Sequence, residues 1–186
     1  MFDPSLVAPE RIRALSRKEY DRMVELGMFE DEKIELLRGL LVTMSPQNWP
    51  HSAAVQWLTK QLALQIDRSL AVRPQLPFAA SNDSEPEPDL AIVREDYTLR
   101  DHPSEVLLLI EVADSSLRKD RSIKRAIYAE NGVPEYWIVD VATMTVEVYT
   151  QPVNGDYASV RVARDGDVLE PLLLAGVSIA VAELPR

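Results

Sequence analysis

The stretch that most limits how this chain can fold is VLLLIEVA at residues 106–113, an apolar run with one carboxylate, Glu111, inside it. Its length and lack of polar alternation suit a strand buried on both faces of a sheet. An ionised carboxylate buried without a cation or hydrogen-bond donors is destabilised by several kcal/mol, or its pKa rises until it takes up a proton. Glu111 therefore calls for a companion, and a metal ion or a fixed lysine would serve. A second apolar run, LAIV at residues 90–93, is opened by Asp89. If the two runs are neighbouring strands, the two carboxylates lie side by side.

The chain has 186 residues and 46% apolar content, which suits one domain over residues 1–186, with the first five residues and the last few before Arg186 as loose ends. There is no cysteine, so disulfides and thiolate metal sites are excluded and a reducing cytosol is compatible. No basic-then-apolar leader opens the sequence, and the longest apolar stretch has the length of a strand. The expectation is a soluble, cytoplasmic protein without a membrane partner. A net charge of −10 argues against general coating of nucleic acid, because that affinity comes from cations displacing phosphate counterions. It leaves a cleavage site open, since metal ions neutralise carboxylates locally. The densest basic segment holds Arg118, Lys119, Arg121, Lys124 and Arg125, and it reads either as a solvated helix face or as a phosphate-binding patch.

Ser16 and Glu19 form a capping box for a first helix that ends near Gly27. KIELLRGLLVTM at residues 33–44 is β-like about Gly39 and predicts a hairpin. Glu35 lies on its first strand, either as an exposed residue or in a functional role. Ser45-Pro46 and Trp49-Pro50 break the chain, and Ser52 is the expected cap of a second helix with Val55, Leu58, Leu62 and Ile66 on its apolar face. His51, just ahead of it, is a capping or surface residue or a ligand. Trp49 and Trp57 read as packing residues. A short strand at residues 71–76 carries Pro74, which favours a sheet edge or an irregular position, and a loop then leads to Asp89. After the Glu111 strand, Asp120 is the expected cap of a helix reaching Asn131, with Asp120, Lys124 and Tyr128 on one face. Strands at 135–139 and 145–149 and further β structure in the tail complete the pattern. The six glycines form no phosphate-binding or dinucleotide-binding motif.

From Ser52 onward the order is helix, three strands, helix, strand, with Asp89 opening the second strand and Glu111 on the third. This resembles the core of the restriction-endonuclease-like superfamily, whose signature is PD, a variable gap, then D/E-x-K. Pro88-Asp89 matches the first half and Glu111-Val112-Ala113 the second, with alanine in place of lysine. The strings IELLRGLLVTMSP, then His51, EPDLAIV, LLLIEVADSS, DRSIKRAIYAENGVPEYWIVD and TVEVY are together similar to the Uma-type family of putative restriction endonucleases. They span residues 34–149. The resemblance implies an α/β (α+β) fold, a central mixed sheet flanked by helices, with an N-terminal helix and hairpin and extra C-terminal strands. It also implies that the catalytic lysine is displaced onto the helix as Lys124, with Glu35 as an auxiliary carboxylate. Tyr128 is expected to pack or to hold Lys124.

The chemistry supports these assignments independently. Phosphodiester hydrolysis needs a nucleophilic water, neutralisation of the attacked phosphoryl group and help for the leaving oxygen. Mg²⁺ or Mn²⁺ on Asp89, Glu111 and the Val112 carbonyl would supply much of this, because Mg²⁺ favours a few carboxylates and retained waters. Lys124 fits an electrostatic role better than that of a base, given an unperturbed pKa near ~10.4. Arg118, Lys119 and Arg121 are candidates for phosphate contacts. The leading expectation is a metal-dependent endodeoxyribonuclease acting on DNA, with RNA left open and a homodimer expected by analogy. The alternatives are a catalytically inactive scaffold or protein-binding module on the same fold and, more weakly, a hydrolase of a small phosphorylated molecule.

Overall fold

The structure, a computed structural model, describes residues 10–96 and 100–185. The expected loose end at residues 1–5, Arg186 and part of the polar loop before the Glu111 strand lie outside them.

Helix α1 (Arg17–Glu25) starts at Ser16 with both halves of the capping box in place. The hairpin of β1 (Ile34–Leu37) and β2 (Leu40–Thr43) turns at Arg38 and Gly39, whose φ values of 55° and 73° are those of a two-residue type I′ turn. Glycine is required there for a second reason, since a Cβ on Gly39 would lie 2.3 Å from the Ala14 Cβ.

Helix α2 (Trp49–Gln65) begins earlier than its composition suggested. Asn48, not Ser52, is its N-cap, accepting from the His51 N–H at 3.1 Å, and Pro50 sits in the first turn, where its missing N–H is no loss. Val55, Leu58 and Leu62 are buried as the helical spacing predicts. Trp49 is 77% exposed, so it is not the packing residue expected.

The central sheet has the order β3-β4-β5-β6-β7-β8, formed by β3 (Leu70–Pro74), β4 (Leu90–Arg94), β5 (Leu108–Ala113), β6 (Glu135–Asp140), β7 (Thr145–Val153) and β8 (Asp156–Ala163). All pairs are antiparallel except β5 with β6, whose parallel pairing uses the intervening helix as the crossover. Pro74 lies on the edge strand β3, where a missing ladder donor is tolerated. A short pair, β9 (Val168–Leu169) with β10 (Ile179–Ala180), closes the tail.

The crossover was expected as one helix capped by Asp120. It starts instead at Leu117 and runs without a break through α3 (Leu117–Lys119), a π-helical stretch (Asp120–Lys124) and α4 (Arg125–Glu130). Asp120 is therefore inside the helix and buried. The wider turn keeps Asp120, Lys124 and Tyr128 all on the buried side.

Two apolar layers sandwich the sheet. Leu108, Ile110 and Val112 of β5 face α2 and the C-terminal tail, whereas Leu109 and Ala113 face α4 and its aromatic cluster of Tyr128, Tyr136 and Tyr149. By alternation Glu111 points to the α4 side. No helix among the described residues is long and apolar enough to cross a membrane.

Candidate active site

Register places the two carboxylates together. Leu90 pairs with Ile110, so one step back along β4 sets Asp89 opposite Glu111. Asp89 Oδ2 accepts from the Val112 N–H at 2.8 Å and lies 3.1 Å from His51 Nε2. Although burial pushes the Asp89 carboxyl up, these contacts outweigh it and hold it below the usual range. Gln75, whose φ of 51° is unusual for a residue with a side chain, brings its Nε2 to 3.5 Å from Asp89 Oδ1.

Glu111 is held on the other side of the pair. Its Oε1 accepts from Lys124 Nζ at 2.9 Å and from the Tyr128 hydroxyl at 2.6 Å. Tyr128 thus fixes Glu111 rather than Lys124. Burial pushes the Glu111 carboxyl up to about 8, with Asp120, Asp89 and Glu35 adding repulsion that Lys124 only partly offsets. Lys124 itself is driven the opposite way. Burial alone would lower it, but Glu111, Glu35 and Asp120 surround it and hold it as an ammonium far above its usual range.

Glu35 is fully buried, which excludes the exposed-strand reading. Its Oε2 lies 3.0 Å from Lys124 Nζ and its Oε1 accepts from Lys119 Nζ at 2.5 Å. Burial would raise its pKa, and the two lysines reverse that. Asp120 completes the cluster: Oδ2 accepts from the Ser116 hydroxyl at 2.5 Å, while Oδ1 is buried with no hydrogen bond among the described residues. His51 Nδ1 is likewise buried with no hydrogen bond among the described residues.

Asp89, Glu111, Asp120 and Lys124 line an open cavity of about 430 Å³, with Met44 and Arg118 among its other lining residues. A bond of 2.6 Å from Asn48 to Asp114 ties the α2 cap to the loop after β5 across this region.

A family model described as "Uma2: Putative restriction endonuclease" matches residues 17–182. The chain belongs to the Uma2 family. No curated protein matches it. Among solved structures it is similar to a "putative nuclease belonging to DUF820" from Anabaena variabilis ATCC 29413, with a TM-score of 0.72 and 14% identity over 88% of this chain and 95% of that one. At that identity the likeness shows the shared fold.

In this Uma2 chain the three cations expected to contact phosphate are differently engaged. Lys119 is committed to Glu35, and Arg121 makes a close pair with Glu147. Arg118 is exposed at the cavity and makes no ion pair among the described residues. Asp89 and Glu111, on the cavity wall, are the carboxylates that would hold a divalent cation here. Asp89, Glu111, Glu35 and Asp120 outnumber Lys119 and Lys124, and an orphan carboxylate oxygen lies among them. No group of three or more His, Cys, Asp or Glu among the described residues could hold a metal ion, so waters would have to complete the coordination shell.

The sequence pattern left three participants unassigned to the site. Asp120 was masked by its resemblance to a helix cap, although its spacing to Lys124 and Tyr128 was legible. Glu87 acts through its backbone, whose N–H donates to Glu35 at 3.3 Å and whose carbonyl lies 3.5 Å from Lys124 Nζ. Gln75 comes from a neighbouring strand, and no spacing rule links it to Asp89.

Proposed function

We propose that this chain is a metal-dependent endonuclease that hydrolyses phosphodiester bonds in DNA. The observation that carries the proposal is the Glu111–Lys124 contact at 2.9 Å beside Asp89, at a cavity open to solvent. It restores a carboxylate–lysine pair in space although Ala113 occupies the motif's lysine position. Bound to Asp89, Glu111 and the Val112 carbonyl, Mg²⁺ or Mn²⁺ would neutralise phosphoryl charge and supply a water of lowered pKa.

The surrounding residues divide the remaining work. The Val112 N–H fixes one Asp89 oxygen, and His51 braces the same oxygen from α2. Tyr128 sets the Glu111 rotamer. Lys124 spends two of its three donors on Glu111 and Glu35, and the third makes only the 3.5 Å contact with the Glu87 carbonyl. That third donor is free to turn toward a water or a phosphoryl oxygen. Held as an ammonium by its carboxylate neighbours, Lys124 acts as a charge and not as a base. Glu35, neutralised by Lys119, keeps Lys124 in place. Arg118 at the cavity is the cation best placed for an adjacent phosphate. Cutting both strands of a duplex calls for two such sites, which makes a homodimer the expected working form.

The test is cleavage of supercoiled plasmid and of single-stranded RNA with Mg²⁺, Mn²⁺ or chelator, beside Glu111→Ala. Plasmid nicking that requires metal and vanishes in the variant is expected. Equal activity in chelator, or in Glu111→Ala, would contradict the proposal, and cleavage of RNA alone would correct the substrate.

A further inference from the structure

Trp49 opens α2 with its indole in water. It is 77% exposed, more than any other large apolar side chain among the described residues, and it makes no ring contact or side-chain hydrogen bond among them. Tryptophan is highly buried on average, and exposed indoles concentrate where a partner covers them. The neighbours of Trp49 in the chain fix where that partner would lie. Pro46, Gln47 and Asn48 before it and His51 after it line the cavity that holds Asp89 and Glu111. The Cα–Cβ bond of a helical residue tilts toward the helix N-terminus, so from the first position of α2 the indole leans toward that rim. It sits on the side of the helix opposite the buried Leu58, where the core has no use for it. The backbone beneath it is held, since Asn48 caps the helix and donates to Asp114 at 2.6 Å, and Pro50 fixes the next residue. An aromatic face on a fixed backbone binds with little ordering cost.

We propose that Trp49 is a base-stacking platform, its indole taking an unpaired nucleobase next to the phosphodiester bond at the cavity while Arg118 on the cavity wall meets the phosphate. Aromatic faces beside cations are how single strands are held, because every base has a π-face and stacking needs no particular sequence. Stacking also suits an acidic chain. At a net charge of −10 the attraction for a phosphate backbone is weak, and an indole supplies affinity that does not come from counterion release. A base inside a duplex offers no such face until it leaves the stack, so the substrate class is a single strand or a duplex with a splayed nucleotide. This rests on the nucleic-acid reading of the cavity above, not on a bound cation.

Anisotropy of a fluorescein-labelled single-stranded DNA oligonucleotide, titrated in chelator with the full chain, tests this in wild type, Trp49→Ala and Trp49→Phe. Removing a stacking aromatic weakens binding by about 5- to 150-fold. That loss is expected in Trp49→Ala, with Trp49→Phe keeping most of the affinity. The salt dependence should be the same in wild type and Trp49→Ala, because an indole displaces no counterion. An oligonucleotide of equal length with stable abasic sites in place of its bases has nothing to stack, and should bind wild type and Trp49→Ala alike. Equal affinity of the two proteins for the ordinary strand would overturn the inference while leaving the nuclease reading standing. An equal loss on the abasic strand would overturn it too, since Trp49 would then act on something other than a base. Sedimentation of the protein alone tests the other occupant: a wild-type dimer that Trp49→Ala abolishes would give the indole to a second copy of the chain and overturn the stacking role. Failure of wild type to bind the ordinary strand, in chelator and again with Ca²⁺, would overturn the nucleic-acid reading and this inference with it. Melting curves check that both variants are folded.

Discussion

Burial and the neighbouring carboxylates push the Glu111 carboxyl up to about 8, while Lys124 and Tyr128 both donate to its Oε1. In the unfolded chain the same carboxyl titrates near 4.5. Between those values the folded protein retains a proton that the unfolded chain has released, so metal-free stability falls as pH rises through the window. Glu85, raised to about 7 mainly by burial, contributes in the same direction. The Glu111 share is therefore the difference between wild type and Glu111→Gln. Urea midpoints measured in chelator from about pH 5 to about pH 8 should fall more steeply for wild type than for the variant. Parallel slopes would show that Glu111 is ionised throughout. The need for a partner at Glu111 was legible from an acid inside an apolar strand. The identity of that partner was not, because Lys124 reaches it from a helix whose turn widens at that point.

Among the elements, the start of α2 separates pattern from structure most clearly. Ser52 precedes the apolar face and looked like the cap, but Pro50 fits the first helical turn, and Asn48 both caps the helix and holds Asp114. Removing a cap of this type lowers stability by about 1 kcal/mol. Asn48→Ala should show that loss in urea denaturation and Ser52→Ala should show almost none; the reverse would restore the cap to Ser52. Period-two and helical spacing located most of the sheet, the hairpin turn and the capping box of α1, since these depend on neighbours a few residues apart. The early start of the crossover helix at Leu117 and its π-helical turn bring Lys119 and Lys124 to Glu35, which lies far away in sequence. Local pattern therefore placed Asp120 at a helix start when the fold places it in the site wall.

Across the whole molecule, the net charge of −10 and the ion pairing of Lys119 and Arg121 leave little free positive surface near the cavity. If nucleic acid binds there, Arg118→Ala should weaken binding and reduce its salt dependence by about one phosphate contact. Lys119→Ala should instead lower stability, because it takes away one of the two lysines paired with the buried Glu35. Equal effects of both substitutions on affinity would return Lys119 to the binding surface. The two readings of the fold, a nuclease and an inactive scaffold, make opposite demands on Glu111. In a scaffold, the Glu111–Lys124 contact exists to hold the molecule together, and neutralising one member of a buried pair is destabilising by about 3–5 kcal/mol. In a nuclease, Glu111 is kept for the cation at the expense of stability, and its carboxyl is largely protonated near neutrality without one. The most direct measurement is the thermal melting of Glu111→Gln against wild type in chelator at pH 7. A variant that melts at or above the wild-type temperature, and gains less from added Mn²⁺, is the result predicted; a large loss of stability in chelator would contradict it.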